Sequence, residues 1–311
     1  MSRRPALVTA GSARRAGRAG EFLIELLIRV AGISAIFFVL LILAFLIREA
    51  APAFWEAGLA SLASARWYPI ESLYGILPLV LGSVWVTVGA VALALPLGVA
   101  TAVYIAELAP RPVRDVLKPA IEILAGIPSV VLGFLGWVVL APLVQNALGA
   151  PTGLTALTGS ILLAYMALPT IISVAEDAID AVPKGYRDGA LAIGATHWQT
   201  IWRVVLPAAR TGIMTAVMLG IGRAIGETMA VMMVTGNAPR IPGRLADFLM
   251  PVRTMTATIA AEMGEVAQGS THYHVLFAVG LVLFIFTLLV NIVASAVVIR
   301  SRKQRDARLM G

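Results

Sequence analysis

Six apolar stretches, each of roughly 18 residues or more, decide what this chain can become. They run at about Val30–Ile47, Ile76–Ala106, Ile121–Leu148, Leu154–Ala175, Ala208–Thr235 and Val275–Ile299. A helix rises about 1.5 Å per residue, so a run of that length spans the hydrocarbon core of a bilayer. Inside lipid the backbone must satisfy its own hydrogen bonds, and a helix does so within one segment. The expected fold class is therefore all-α: a polytopic membrane protein with six transmembrane helices. Composition agrees, because only 13% of the residues are charged and 59% are hydrophobic, against about 25% charged in soluble domains. Pro96 lies inside the second stretch and Pro128 inside the third, where proline predicts kinks. Ile47-Arg48-Glu49-Ala50 is a poor small-x-small cleavage site, so the first stretch reads as an uncleaved anchor.

Lysine and arginine set the orientation. The two tails and the loops at 107–119 and 176–210 hold 17 of the 24 basic residues. The other side holds five, namely Arg48, Arg66, Arg240, Arg244 and Arg253. The basic tails at 1–21 and 300–311 and the 176–210 loop are thus expected in the cytoplasm. The net charge of +7 is accounted for by topology and calls for no nucleic-acid partner. There is no cysteine, which excludes disulfides and thiolate metal sites.

The loop between the fourth and fifth stretches carries its own structural code. Tyr186–Ala195 predicts a short helix ending near Gly194, a residue suited to a turn. Thr196-His197-Trp198-Gln199 fits a capping box that starts a second short helix, running to about Leu206. Pro207 then fits the first turn of the fifth span. In the second helix Trp198, Ile201, Trp202 and Val205 fall at i, i+3, i+4 and i+7 and form one apolar face. That face packs on the chain's own bundle, lies at the headgroup interface, which tryptophan favours, or docks on a partner.

Asp188-Gly189-Ala190, then Gly194, then Val204-Val205-Leu206-Pro207 resemble the cytoplasmic "EAA" loop of type I ATP-binding-cassette importer permeases, with Asp-Gly-Ala in place of Glu-Ala-Ala. Val182-Pro183-Lys184-Gly185-Tyr186-Arg187, Ala125-Gly126-Ile127-Pro128-Ser129-Val130-Val131 and Gly222-Arg223-Ala224-Ile225-Gly226-Glu227-Thr228-Met229-Ala230-Val231 are similar to segments of the phosphate-specific, PstC-type branch. The resemblance covers about Tyr74 to the end of the last span. It implies a MetI-like permease domain at 74–299, preceded by a first helix and loop at 22–73. It also implies a coupling loop at 182–207 that docks on an ATPase through Asp188, Gly189, Ala190, Gly194, Trp198, Ile201, Trp202, Leu206 and Pro207. Implied partners are a homologous second permease (PstA-like), an ATPase dimer (PstB-like) and an extracytoplasmic phosphate-binding protein (PstS-like), with phosphate as cargo. The location implied is the bacterial inner membrane.

Arg223 and Glu227 lie four apart within the fifth stretch, where they are expected to share a helix face and pair. Charges inside a span normally face a cavity or each other. One reading is a structural pair; the other, favoured by the resemblance, is a substrate path of Arg223 and Glu227, in which the planar fork of Arg223 suits phosphate and Glu227 holds it in place. Gly220, Gly222 and Gly226 would let a ligand approach. No Lys follows a Gly, so the chain has no P-loop; ATP and Mg belong on a partner, no cofactor is expected here, and the chain is not an enzyme. His272-Tyr273-His274 reads as solvated loop rather than a metal site. Glu262 and Glu265, on an interfacial helix near Thr254–Met263, read as a solvated face. Alternatives of function are import of another oxyanion (phosphonate, sulfate or molybdate) and, less favoured, an ion-coupled secondary carrier, for which no internal repeat is visible.

Overall fold

The computed structural model describes the backbone of residues 10–309 and the side chains of residues 24–296; the basic tails lie outside the described side chains. Among the described residues, six helices are long and apolar enough to cross a membrane. The first, α1 (Ala10–Ala53), ends in a π turn at Phe54–Gly58. A two-residue hairpin, β1 (Trp67–Tyr68) against β2 (Leu73–Tyr74), leads into α2 (Leu77–Leu108). Then come α3 (Arg111–Gly126), α4 (Ser129–Leu148), α5 (Ala156–Asp180), α6 (Lys184–Ala192), α7 (His197–Gly226), α8 (Met229–Val234), α9 (Met255–Glu262) and α10 (Thr271–Leu309).

Helix α5 is the centre of the bundle. In its most apolar window 61% of residues are buried, against none in the first span, whose exposed Ile, Phe and Leu side chains suit lipid. Between membrane helices lipid tails compete for apolar contact, so close approach through small residues matters most. Ile171 of α5 lies between Gly98 of α2 and Gly220 of α7. A Cβ on Gly98 would stand 2.7 Å from the Ile171 methyl, and one on Gly220 would stand 2.5 Å from its Cγ1. Gly212 of α7 likewise packs on Ala178. Only hydrogen at these positions lets the three backbones come together.

Two expected spans are broken. The third does not start at Ile121: residues 121–126 end the amphipathic helix α3, and Ile127 is extended (φ −69°, ψ 127°) ahead of Pro128. The ring of Pro128 disfavours helical geometry at the residue before it, and here a break replaces the expected kink. The fifth stops at Gly226, because Glu227 is extended (φ −71°, ψ 130°). Pro96, by contrast, stays inside unbroken α2.

The expected second loop helix is not separate. It is the first two turns of α7, joined through a π turn at Ile201–Val205. The amide of Leu206 reaches the carbonyl of Ile201, five residues back, directly before Pro207. The same device precedes Pro142, where Ala141 bonds Gly136, and Pro110, where Ala109 bonds Tyr104. Proline lacks an amide and its ring crowds the carbonyl four residues before it. Widening the preceding turn by one residue accommodates the ring and, at Pro142 and Pro207, keeps the helix running.

Candidate functional site

Two places concentrate chemistry: the end of the bundle that carries α6, and the C-terminal end of α7. At the α6 end, α5 finishes among charges. Glu176, almost fully buried, pairs with Arg114 at 3.1 Å and Lys118 at 2.8 Å, and Arg114 also pairs with Asp180. The hydrogen bond that Arg114 donates to Asp180, ahead of the Coulombic pull of the two carboxylates, holds the guanidinium above its usual pKa. Arg187 at the start of α6 donates to Glu107 from Nη2 (2.6 Å) and Nε (3.0 Å).

The expected loop code is present in detail. Gly194 sits at φ +88°, where L side chains are strained. Thr196 Oγ1 accepts from the Gln199 amide (3.2 Å) while Gln199 Oε1 accepts from the Thr196 amide (3.0 Å), closing the capping box. The single apolar face, however, divides. Ile201 and Val205 are buried in the bundle, whereas Trp198 and Trp202 are more than half exposed and meet edge to face at 5.6 Å. With Tyr186, Leu191 and Ile193, also exposed, they make an apolar surface around the turn at Gly194. Of the other candidates, Asp188, Gly189, Gly194 and Pro207 are exposed, Leu206 is half-buried and Ala190 is buried.

In the middle of the bundle Arg223 and Glu227 do not pair. The helix ends between them, so the i, i+4 geometry is lost. Arg223 is exposed; its Nη1 donates to Thr170 Oγ1 of α5 at 3.4 Å, and among the described residues it makes no ion pair. A Cβ on Gly222 or Gly226 would meet open space, so this face of α7 is uncovered, while Gly220 serves packing. Glu227 turns elsewhere. Its Oε1 accepts the Ala230 amide at 3.3 Å, capping α8, and its carbonyl accepts from Thr256 Oγ1 at 3.1 Å. It borders a cavity of about 10 Å³, room for one water-sized sphere, whose polar edge is Ser83, Thr87, Thr254 and Thr256. Sequence reasoning missed Thr170 and these hydroxyls, because lone Ser and Thr inside spans carry no distinguishing pattern.

At the far end, Glu262 is no solvated face. It accepts from Trp67 Nε1 at 3.2 Å, pairs with Arg253, and lies 2.8 Å from His272 Nε2. His272 packs on Trp67 and Tyr74, and His274 Nδ1 meets the Glu49 carbonyl at 2.9 Å. These histidines open α10 and fasten it to the hairpin and to α1, rather than standing free in a loop. Glu265 is exposed, as expected.

Residues 94–303 match the family described as binding-protein-dependent transport system inner membrane component. The chain belongs to this family. The Bacillus subtilis protein called probable ABC transporter permease protein YqgH is 44% identical over 240 residues, 75% of this chain and 77% of that one. The phosphate transport system permease protein PstC of Mesorhizobium japonicum is 39% identical, covering 79% and 81%; PstC of Pasteurella multocida is 32% identical, covering 94% and 97%. Among solved structures, a chain of a bacterial alginate ABC transporter superposes with TM-score 0.62 over 90% of this chain and 98% of that one at 14% identity. A chain of the MetNI methionine ABC transporter gives 0.54 over 73% and 94% at 20%. The fold is that of type I ABC importer permeases. The family match begins inside α2 and ends within α10, so it contains both charged clusters at the α6 end, the exposed tryptophans and the uncovered face of α7.

Proposed function

We propose that this chain is the transmembrane permease subunit of an ATP-driven importer of inorganic phosphate. One observation carries the reading: a guanidinium with no carboxylate partner among the described residues stands inside the span on a glycine-lined open face. A charge there is costly unless it faces water, a ligand or another chain. Its planar fork donates two parallel hydrogen bonds to a tetrahedral oxyanion, and Thr170 Oγ1 beside it supplies a further donor. The relatives named as phosphate permeases supply the substrate class.

In this reading the uncovered face of α7 meets a homologous second permease, and phosphate passes between the two. A separate ATPase dimer binds Mg and ATP and docks at the turn around Gly194, on Trp198 and Trp202. An extracytoplasmic binding protein delivers phosphate at the opposite end, and both termini lie in the cytoplasm. This chain does no bond-breaking chemistry. Its residues orient the anion, exclude other charges and couple the bundle to the ATPase.

The test is phosphate uptake into liposomes holding the reconstituted complex. Arg223→Gln should cut uptake by about tenfold or more, the scale of a lost charged hydrogen bond, while the complex still co-purifies. Wild-type uptake by that variant overturns the pathway role. Competition by sulfate, molybdate and a phosphonate separates phosphate from other oxyanions.

A further inference from the structure

Helix α6 has only nine residues and one of them, Ala190, is buried. Apolar packing holds it weakly, yet in the proposed importer it must carry force. What fastens it is Arg187. Nε and Nη2 both donate to Glu107 Oε1 (3.0 and 2.6 Å), Nη2 also donates to the Ile179 carbonyl (2.9 Å), and Nη1 donates to the Val182 carbonyl (2.5 Å). One side chain therefore joins the last turn of α2, the last turn of α5 and the linker before α6. Both carbonyls sit at or just beyond the end of α5, where the helix dipole favours a cation; that of Ile179 also accepts the Val182 amide at 3.1 Å. The pair is largely shielded: the Arg187 and Glu107 side chains are 21% and 12% exposed. Three nitrogens directed at three acceptors need a planar fork, and lysine offers only a point charge.

We propose that Arg187 is a positioning residue that transmits the movement of α6 to the transport path. The receiving element is α5, since the same terminus is tied to α3 through Arg114, Lys118, Glu176 and Asp180. Three turns further into the bundle, α5 presents Thr170 to Arg223, and Ile171 to the glycines of α2 and α7. A shift of α6 thus reaches the helix that contacts the anion-facing arginine. This inference rests on the importer reading above.

Two measurements on the reconstituted complex test it. The first is phosphate moved per ATP hydrolysed. With Arg187→Met the complex should co-purify and keep its basal ATPase, while the ratio falls about fivefold or more. Arg187→Lys should fall similarly despite keeping the charge, and Glu107→Gln, which keeps an acceptor oxygen, should fall less. An unchanged ratio in Arg187→Met overturns the proposal. So does failure of the Arg187→Met complex to assemble with full function restored by Arg187→Lys, which would make the contact purely structural. The second measurement needs no phosphate. The natural chain has no cysteine, so Gly222→Cys gives a single thiol on the uncovered face of α7. Its labelling rate should change when ATP is trapped, and Arg187→Met should abolish that change; a change that persists overturns the proposal. A wild-type complex that responds to ATP in labelling but moves no phosphate would instead overturn the importer reading.

Discussion

Arg223 and Glu227 show how one backbone torsion redirects two charges. Spacing alone places them on one helix face, but the extended Glu227 ends the helix and sends its carboxylate to the Ala230 amide. Among the described residues the arginine keeps only Thr170 as a side-chain partner, and the glutamate becomes the cap of α8. At the far end, the Asp247 carboxylate accepts from the Gly243 amide at 2.7 Å and the Arg244 amide at 2.8 Å. These two amides, then Arg240 and Arg244, lower its pKa below the usual 3.8. A depressed carboxylate stabilises the fold above its unfolded value and loses that contribution as pH falls through the folded value. Protection of the Gly243 and Arg244 amides against exchange, taken relative to the free peptide at the same pH, should therefore hold at pH 5 and fall only once the pH drops below about 3.8. Asp247→Asn should remove that acid-dependent step.

At the scale of elements, α7 shows why an apolar face read from i, i+3, i+4 and i+7 divides. The π turn holds more than four residues per turn, so positions four apart stay aligned while positions three apart diverge. Ile201 and Val205 share the buried side; Trp198 and Trp202 share the exposed one. The two sides should behave differently on mutation. Trp198→Ala with Trp202→Ala should leave the purified permease as stable as wild type and weaken ATPase co-purification. Ile201→Ala should destabilise the permease itself by about 2–4 kcal/mol, the scale of a core truncation. Thermal unfolding alongside pull-down separates these outcomes. Loss of permease stability in the tryptophan double variant would show that these side chains pack on their own bundle.

At the scale of the molecule, α5 sets the geometry because Ile171 fills the gap left by two glycines. Gly220→Ala should cost about 1–3 kcal/mol through overpacking. Trimming the opposing side chain should recover part of that loss, so Gly220→Ala with Ile171→Ala should be less destabilised than the two single effects summed. A double-mutant cycle on the purified permease measures this, and strict additivity would mean the contact is not what brings α5 and α7 together. Charge networks close the two ends of the bundle. Glu176 collects Arg114 and Lys118 at the α6 end, and Glu262 collects Arg253, His272 and Trp67 at the other.

The sequence by itself determined the helical class, the approximate spans, the capping box at Thr196 and the turn at Gly194. These are local matters of hydropathy, cap chemistry and backbone sterics, written within a few residues. It also marked Arg223 as a charge inside a span. Only the tertiary structure decided that Glu227 leaves Arg223, that Glu262 is held among Trp67, Arg253 and His272, and that Arg187 gathers α2, α5 and α6. Each brings in at least one partner far along the chain: Thr256 is 29 residues from Glu227, Trp67 is 195 from Glu262 and Glu107 is 80 from Arg187. Their side chains meet because glycine contacts set how closely the helices pack, and short-range pattern holds no record of that distance.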